Sequence, residues 1–202
     1  MKLKLDISDN VDIFVTSDLH FWHYSIIKPD FDDRPFKKED GSPDVELMNE
    51  ILITNWNSVV KKNDIVFFLG DFAMCNWKDA KIIAHRLNGR IHFVLGNHDV
   101  EKDIKKIDRF ETISDYIELS LTDGDEKYHI MMFHYPALSW NRKKYGSVFL
   151  HGHRHHNHHG DNSFMDNFYK ENKTLDVGVN GHDYFPLNIK EAISIIDNRQ
   201  IK

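Results

Sequence analysis

Ile13-Phe14-Val15-Thr16-Ser17-Asp18-Leu19-His20 opens on a short apolar run and closes on two side chains that can bind a metal. The run is β-branched and aromatic, the composition of a buried strand. Four further stretches repeat the pattern. Residues 65–69 precede Asp71, residues 91–95 precede Asn97 and His98, residues 130–133 precede His134, and residues 148–150 precede His151, His153 and His155. Buried strands of α/β proteins place ligands just outside their carboxyl ends. The reading is therefore of five strands that bring oxygen and nitrogen ligands to one rim.

The text between these runs sets the fold class. Val45, Met48, Ile51, Leu52, Trp56, Val59 and Val60 recur at three- and four-residue spacing, which predicts a helix over 44–61. Asn76 caps an expected helix over 77–87 that ends at Asn88-Gly89, and residues 100–107 read as a short third helix. Strand, helix, strand, helix, strand favours a parallel sheet with helical crossovers. The second half differs. Residues 115–121 and 127–133 read as strands joined through Asp123-Gly124, a hairpin signal. Further strands are expected at 147–151, 174–179 and 191–197, so the sheets are mixed. Residues 21–43 and 154–173 read as long polar loops. A single domain over 1–202 is expected.

Composition narrows the classes. A net charge of −6 with no long run of one sign disfavours a broad face for duplex DNA. The single Cys75 excludes an intramolecular disulfide and fits a reducing compartment. No apolar stretch approaches the ~20 residues of a membrane span, and Met1–Asp6 lacks the features of a signal peptide. A cytoplasmic location is the expectation. Histidine stands out: 14 residues, six of them at 151, 153, 155, 156, 158 and 159.

Asp18, His20, Asp71, Asn97, His134, His153 and His155 offer carboxylate, amide and imidazole groups without a thiolate. Such a set suits Mn, Fe, Zn or similar divalent ions. Seven ligands exceed one tetrahedral zinc and suit two ions sharing a carboxylate, a device for hydrolysis at phosphorus. The pairs Asp18/His20 and His153/His155 fall on one side of extended backbone, since alternate residues share a face. Gly70, Gly96 and Gly152 each precede a proposed ligand, where glycine allows close backbone approach.

The blocks Asp18-x-His20, Gly70-Asp71, Gly96-Asn97-His98-Asp99, His134 and Gly152-His153-x-His155 together resemble the calcineurin-like metallophosphoesterase superfamily. The flanking Phe21-Trp22-His23, Arg34-Pro35-Phe36, Asp176-Val177-Gly178 and Tyr184-Phe185-Pro186 resemble a small bacterial and phage branch of it. The resemblance implies a four-layer α/β fold, two mixed β-sheets packed face to face with flanking helices. It implies two divalent ions, manganese first, with iron, zinc or nickel as alternatives. Asp18, His20 and His155 would hold one ion, Asn97, His134 and His153 the other, and Asp71 would bridge them. A hydroxide between the metals would attack phosphorus, His98 would assist the leaving group, and Asp99 would orient the His98 ring.

Each side chain also has a plainer reading. His156, His158 and His159 fit surface solvation, and His151 fits a core or supporting role. His23, Arg34 and Arg142 are candidates for substrate phosphate, arginine for its planar fork; surface ion pairs are the alternative. Phe21, Trp22, Tyr135 and Trp140 stack on a nucleobase or pack in the core. The leading function is a phosphodiesterase acting on small phosphate esters or nucleotides, with no membrane and no extended nucleic-acid partner. Alternatives are a phosphomonoesterase with the same site, a non-catalytic metal-binding scaffold and a nuclease. A scaffold is expected to lack a ligand or His98, and both are present.

Overall fold

The computed structural model describes residues 1–7, 11–155 and 163–199. His156, His158 and His159 lie outside the described residues. Ten strands form two five-stranded sheets among them. One sheet runs β10-β2-β3-β4-β5, from β2 (Ile13–Thr16), β3 (Ile65–Phe68), β4 (Arg90–Val94), β5 (Phe110–Ser114) and β10 (Leu187–Asn188). In it β2 to β5 are parallel and β10 is antiparallel to β2. The other runs β1-β6-β7-β8-β9, from β1 (Lys2–Asp6), β6 (Tyr116–Asp123), β7 (Glu126–Phe133), β8 (Val148–His151) and β9 (Thr174–Asp176). There β6 and β7 are antiparallel and the other pairings parallel, so both sheets are mixed, as expected.

Side-chain alternation explains the layers. Phe14, Val66, Phe68, Ile91 and Phe93 point from the first sheet into a core shared with α1 (Val45–Val59) and α2 (Trp77–Ala84). Their neighbours Ile13, Val15, Ile65, Phe67 and Val94 point the other way. They meet Ile117, Leu119, Ile130, Met132 and Leu150 of the second sheet. On that sheet's outer face Trp140 stacks on Phe149, and Tyr169 of α4 (Ser163–Glu171) stacks on His151. The helices start where caps allow. The Asp44 carboxylate accepts the Leu47 N–H at 2.9 Å, and Asn76 accepts those of Lys78 and Asp79. Trp56 is buried and donates its indole N–H to Asn88, so truncating it to Ala would cost about 3–5 kcal/mol.

Three expectations are corrected. Residues 191–197 are not a strand but lie in α5 (Ile189–Arg199). Ala192, Ile193 and Ile196 reach the core at helical spacing, and a short apolar run does not by itself distinguish the two periods. The polar stretch 154–173 contains α4, whose Phe164 and Phe168 stack along one face. Strand β9 is shorter than 174–179 and passes into a 3-10 turn at Val179–Gly181. The hairpin stands, with Gly124 at φ 58° in the tight turn between β6 and β7. Among the described residues no helix is long and apolar enough to cross a membrane.

Candidate metal centre

The carboxyl ends of β2, β3, β4, β7 and β8 meet on one rim, and backbone bonds stitch them together. Asp18 N–H donates to Gly70, His20 N–H to Asp71 and Gly152 N–H to His134. The two sheets are tied where His153 N–H donates to the Asp18 carboxylate at 2.9 Å and where Ser17 bridges Gly178. Glycine is required at two of these crossings. A Cβ on Gly96 would collide with the Asp71 carboxylate, and one on Gly152 with Ser17 and Asp18.

Five of the seven expected ligand residues have left-handed backbone: Asp18 (φ 57°), His20 (51°), Asp71 (59°), His153 (72°) and His155 (53°). For an L-residue this costs about 1–2 kcal/mol. Strain gathered at one cluster marks a functional site. It lets the chain turn sharply beyond each strand and aim side chains back over the strand ends.

The cluster divides in two. Asp18, His20, Asp71 and His155 offer ligand atoms within 4.8 Å of one another, and so do Asp71, His134 and His153. Asp71 belongs to both. Its Oδ2 lies 3.5 Å from His20 Nε2 in the first group and 3.5 Å from His134 Nε2 in the second. Asn97 Oδ1 completes the second group, 2.9 Å from His134 Nε2 and 2.8 Å from His153 Nδ1. The first group is largely buried, while His153, Asn97 and His98 open to solvent. These atoms fit a divalent cation. Asp18 Oδ1 is buried and makes no hydrogen bond, although His155 Nε2 is 3.2 Å away. Nε2 of His20 and Nε2 of His155 face each other at 3.1 Å. A buried carboxylate oxygen without a hydrogen bond and two imidazole nitrogens facing each other offer lone pairs that a shared cation would satisfy. Cys75 is in neither group, and burial pushes its thiol up to about 11.

The outward ring nitrogens are also held. His134 Nδ1 is 2.8 Å from the Leu69 carbonyl, which orients the N–H outward and Nε2 inward. His155 Nδ1 is 2.5 Å from Asp32, and His20 Nδ1 is 3.1 Å from His23 Nδ1. Burial lowers the pKa of His155, but the Asp18 and Asp32 carboxylates outweigh it and raise it to about 10. Burial likewise raises the Asp18 carboxyl, and His155 overrides this and holds it below the usual carboxylate range. Burial, with His155 beside it, lowers the pKa of His20 well below the usual imidazole value, and burial raises that of Asp71.

Other expected site residues divide. His98 is at the rim, its side chain 40% exposed and its Nε2 4.0 Å from Asp71 Oδ2. His23 sits beside His20 and His98, with ring centroids at 5.1 and 6.3 Å. Asp99 is corrected: its carboxylate accepts the backbone N–H groups of Asp71, Phe72 and Gly96, so it braces two ligand loops rather than the His98 ring. Arg34 is corrected too. It is fully buried and donates to the carbonyls of Asp18 and Leu19, out of reach of a substrate phosphate. Arg142 precedes β8 and lines a cleft with Lys2, Glu118 and Ser147, none of them an expected ligand. His151 is buried against the Gly152 carbonyl and the Tyr169 hydroxyl. Phe21 is core and Trp140 covers Phe149, while Trp22 and Tyr135 are partly exposed. Tyr135 meets the His153 ring edge-on at 4.8 Å. Asp32 is the residue that sequence reasoning missed. It stands among Asp30 and Asp33 in a polar stretch, and no local signal separates it from them.

Comparison with known proteins agrees with this geometry. The sequence profile described as calcineurin-like phosphoesterase matches residues 11–193. The uncharacterized protein MJ1445 of Methanocaldococcus jannaschii is 34% identical over 191 residues, which cover 94% of this chain and 93% of that one. The Gene 66 protein of Mycobacterium phage D29 is 24% identical, over 92% of this chain and 98% of its own length. A crystal structure of a protein of unknown function from Aquifex aeolicus, AQ665, superposes with a TM-score of 0.66. It is 25% identical, and the match covers 92% of this chain and all of the other. With the profile spanning nearly the whole chain, the protein belongs to the calcineurin-like phosphoesterase family.

Proposed function

We propose that the protein is a dinuclear metal-dependent phosphoesterase acting on small phosphodiesters or nucleotide-type substrates. The observation that carries this reading is the position of Asp71, whose Oδ2 is equidistant from a ring nitrogen of each group. In this reading Asp18, His20 and His155 hold one ion, Asn97, His134 and His153 the other, and Asp71 both. Two bound cations supply a water-derived nucleophile at neutral pH and neutralise charge developing on phosphoryl oxygens.

The chain's own residues do the rest. His98 is exposed beside Asp71 and gives a proton from its ring to the leaving oxygen, worth about 10²–10⁴-fold in rate. The His134 ring is fixed by the Leu69 carbonyl and cannot turn to take that part. Asp99 keeps the Asp71 and Gly96 loops at the right separation. The lean towards a diester rests on a compact chain of net charge −6 without an extended basic face.

Hydrolysis of bis- and mono-nitrophenyl phosphates with Mn²⁺ tests the reading. Turnover of the diester is expected. Activity confined to the monoester would overturn the diester preference, and no activity with any divalent ion would leave a metal-binding scaffold.

A further inference from the structure

Two motifs have no part in the chemistry above: Arg34-Pro35-Phe36 and Tyr184-Phe185-Pro186. In the structure they pack on each other. The rings of Phe36 and Tyr184 are 4.9 Å apart, and the Arg34 guanidinium lies 5.8 Å from the Tyr184 ring centre. Asn180, four residues before Tyr184, donates from Nδ2 to Asp32 Oδ2 at 3.2 Å. The segment after β9 thus presses residues 32–36 against the rim.

Two side chains of that stretch reach the first ligand group from behind. Arg34 is fully buried without a carboxylate partner in its hydrogen bonds. Nη2 donates to the Asp18 carbonyl at 2.7 Å and Nη1 to the Leu19 carbonyl at 2.8 Å. Those carbonyls lie within the left-handed turn that carries Asp18 and His20. Burying a guanidinium is costly, and here it grips the backbone at the strained place. Asp32 Oδ2 is 2.5 Å from His155 Nδ1, which leaves Nε2 facing Asp18 and His20. The Asp32 charge also offsets the buried Arg34.

We propose that Asp32 and Arg34 are positioning residues for the first ion, Asp32 setting the tautomer and direction of His155 and Arg34 holding the Asp18–His20 turn. This rests on the reading that Asp18, His20 and His155 bind a cation. Outer carboxylates of this kind are worth about 10–100-fold in metal affinity. The second group has its own support from Leu69 and does not share these two residues.

Titration of the metal-free full-length chain with Mn²⁺ by calorimetry tests the proposal in wild type, Asp32→Ala, Asp32→Asn and Arg34→Met. Wild type is expected to take two ions. Asp32→Ala should weaken one of them about 10–100-fold and leave the other. Asp32→Asn should recover part of the loss, because its amide oxygen still accepts the His155 N–H. Arg34→Met should weaken the same ion. Unchanged affinities in Asp32→Ala and Asp32→Asn, or equal loss at both ions, would overturn the proposal. Should Asp32→Ala not fold, Asp32→Asn against wild type decides. A wild type that binds no ion would instead remove the metal reading itself.

Discussion

Nε2 of His98 stands 4.0 Å from Oδ2 of Asp71, the oxygen shared between the two ligand groups. His98 is beside the ligands and open to solvent. A residue so placed can act on a leaving group without holding a metal.

His98→Ala should therefore keep its metal content and lose about 10²–10⁴-fold in kcat. Steady-state kinetics together with elemental analysis separate the two effects. Wild-type turnover in the variant would end the proton-donor assignment.

Asp71→Asn replaces the shared carboxylate by a neutral amide at a position 1% exposed. Both groups lose a charged ligand, so metal content should fall together with activity. Two ions per chain retained in the purified variant would remove the bridging role.

Asp99→Ala should act on stability before chemistry. It strips the acceptor from the N–H groups of Asp71, Phe72 and Gly96. Each N–H left without a partner costs about 1–3 kcal/mol. Urea unfolding of the metal-free variant should show a lower midpoint, with Asp99→Asn in between. An unchanged midpoint would mean that water or another group replaces the brace.

The metal-free protein should have a stability that depends on pH. The folded pKa of His155 is raised from 6.5 to about 10. Its contribution is full below 6.5 and is lost as pH rises through about 10. Asp18 is shifted down from 3.8, so its contribution is present above that value and is lost as pH falls. Urea midpoints in EDTA should decline as pH rises from 6.5 towards 10, with His155→Gln flattening that decline. A flat wild-type profile from 6.5 to 10 would show that the Asp18–His155–Asp32 charges are not coupled to folding.

Much of the site was legible because its signals are local. A buried strand shows its composition over four residues, and a candidate ligand follows within one to five. Gly96 and Gly152 sit at crossings where any Cβ collides, so they appear in the text as glycine. The same reasoning failed at 191–197, where Ala192, Ile193 and Ile196 fit two periods and only the packing against both sheets selects the helix.

The sequence by itself determined the candidate ligands, their order along the chain and the strand ends that carry them. Tertiary structure alone decided which polar side chains support that set. Asp32 and His155 are 123 residues apart, and Asp99 and Asp71 are 28 apart. Nothing in the chemistry of a lone aspartate announces a partner at such a distance. The same is true of the arginines: Arg34 turned inward to backbone carbonyls and Arg142 lined a cleft with Lys2 and Glu118. Ligands are recognised by what precedes them in the chain, whereas supporting residues are defined by what folds against them.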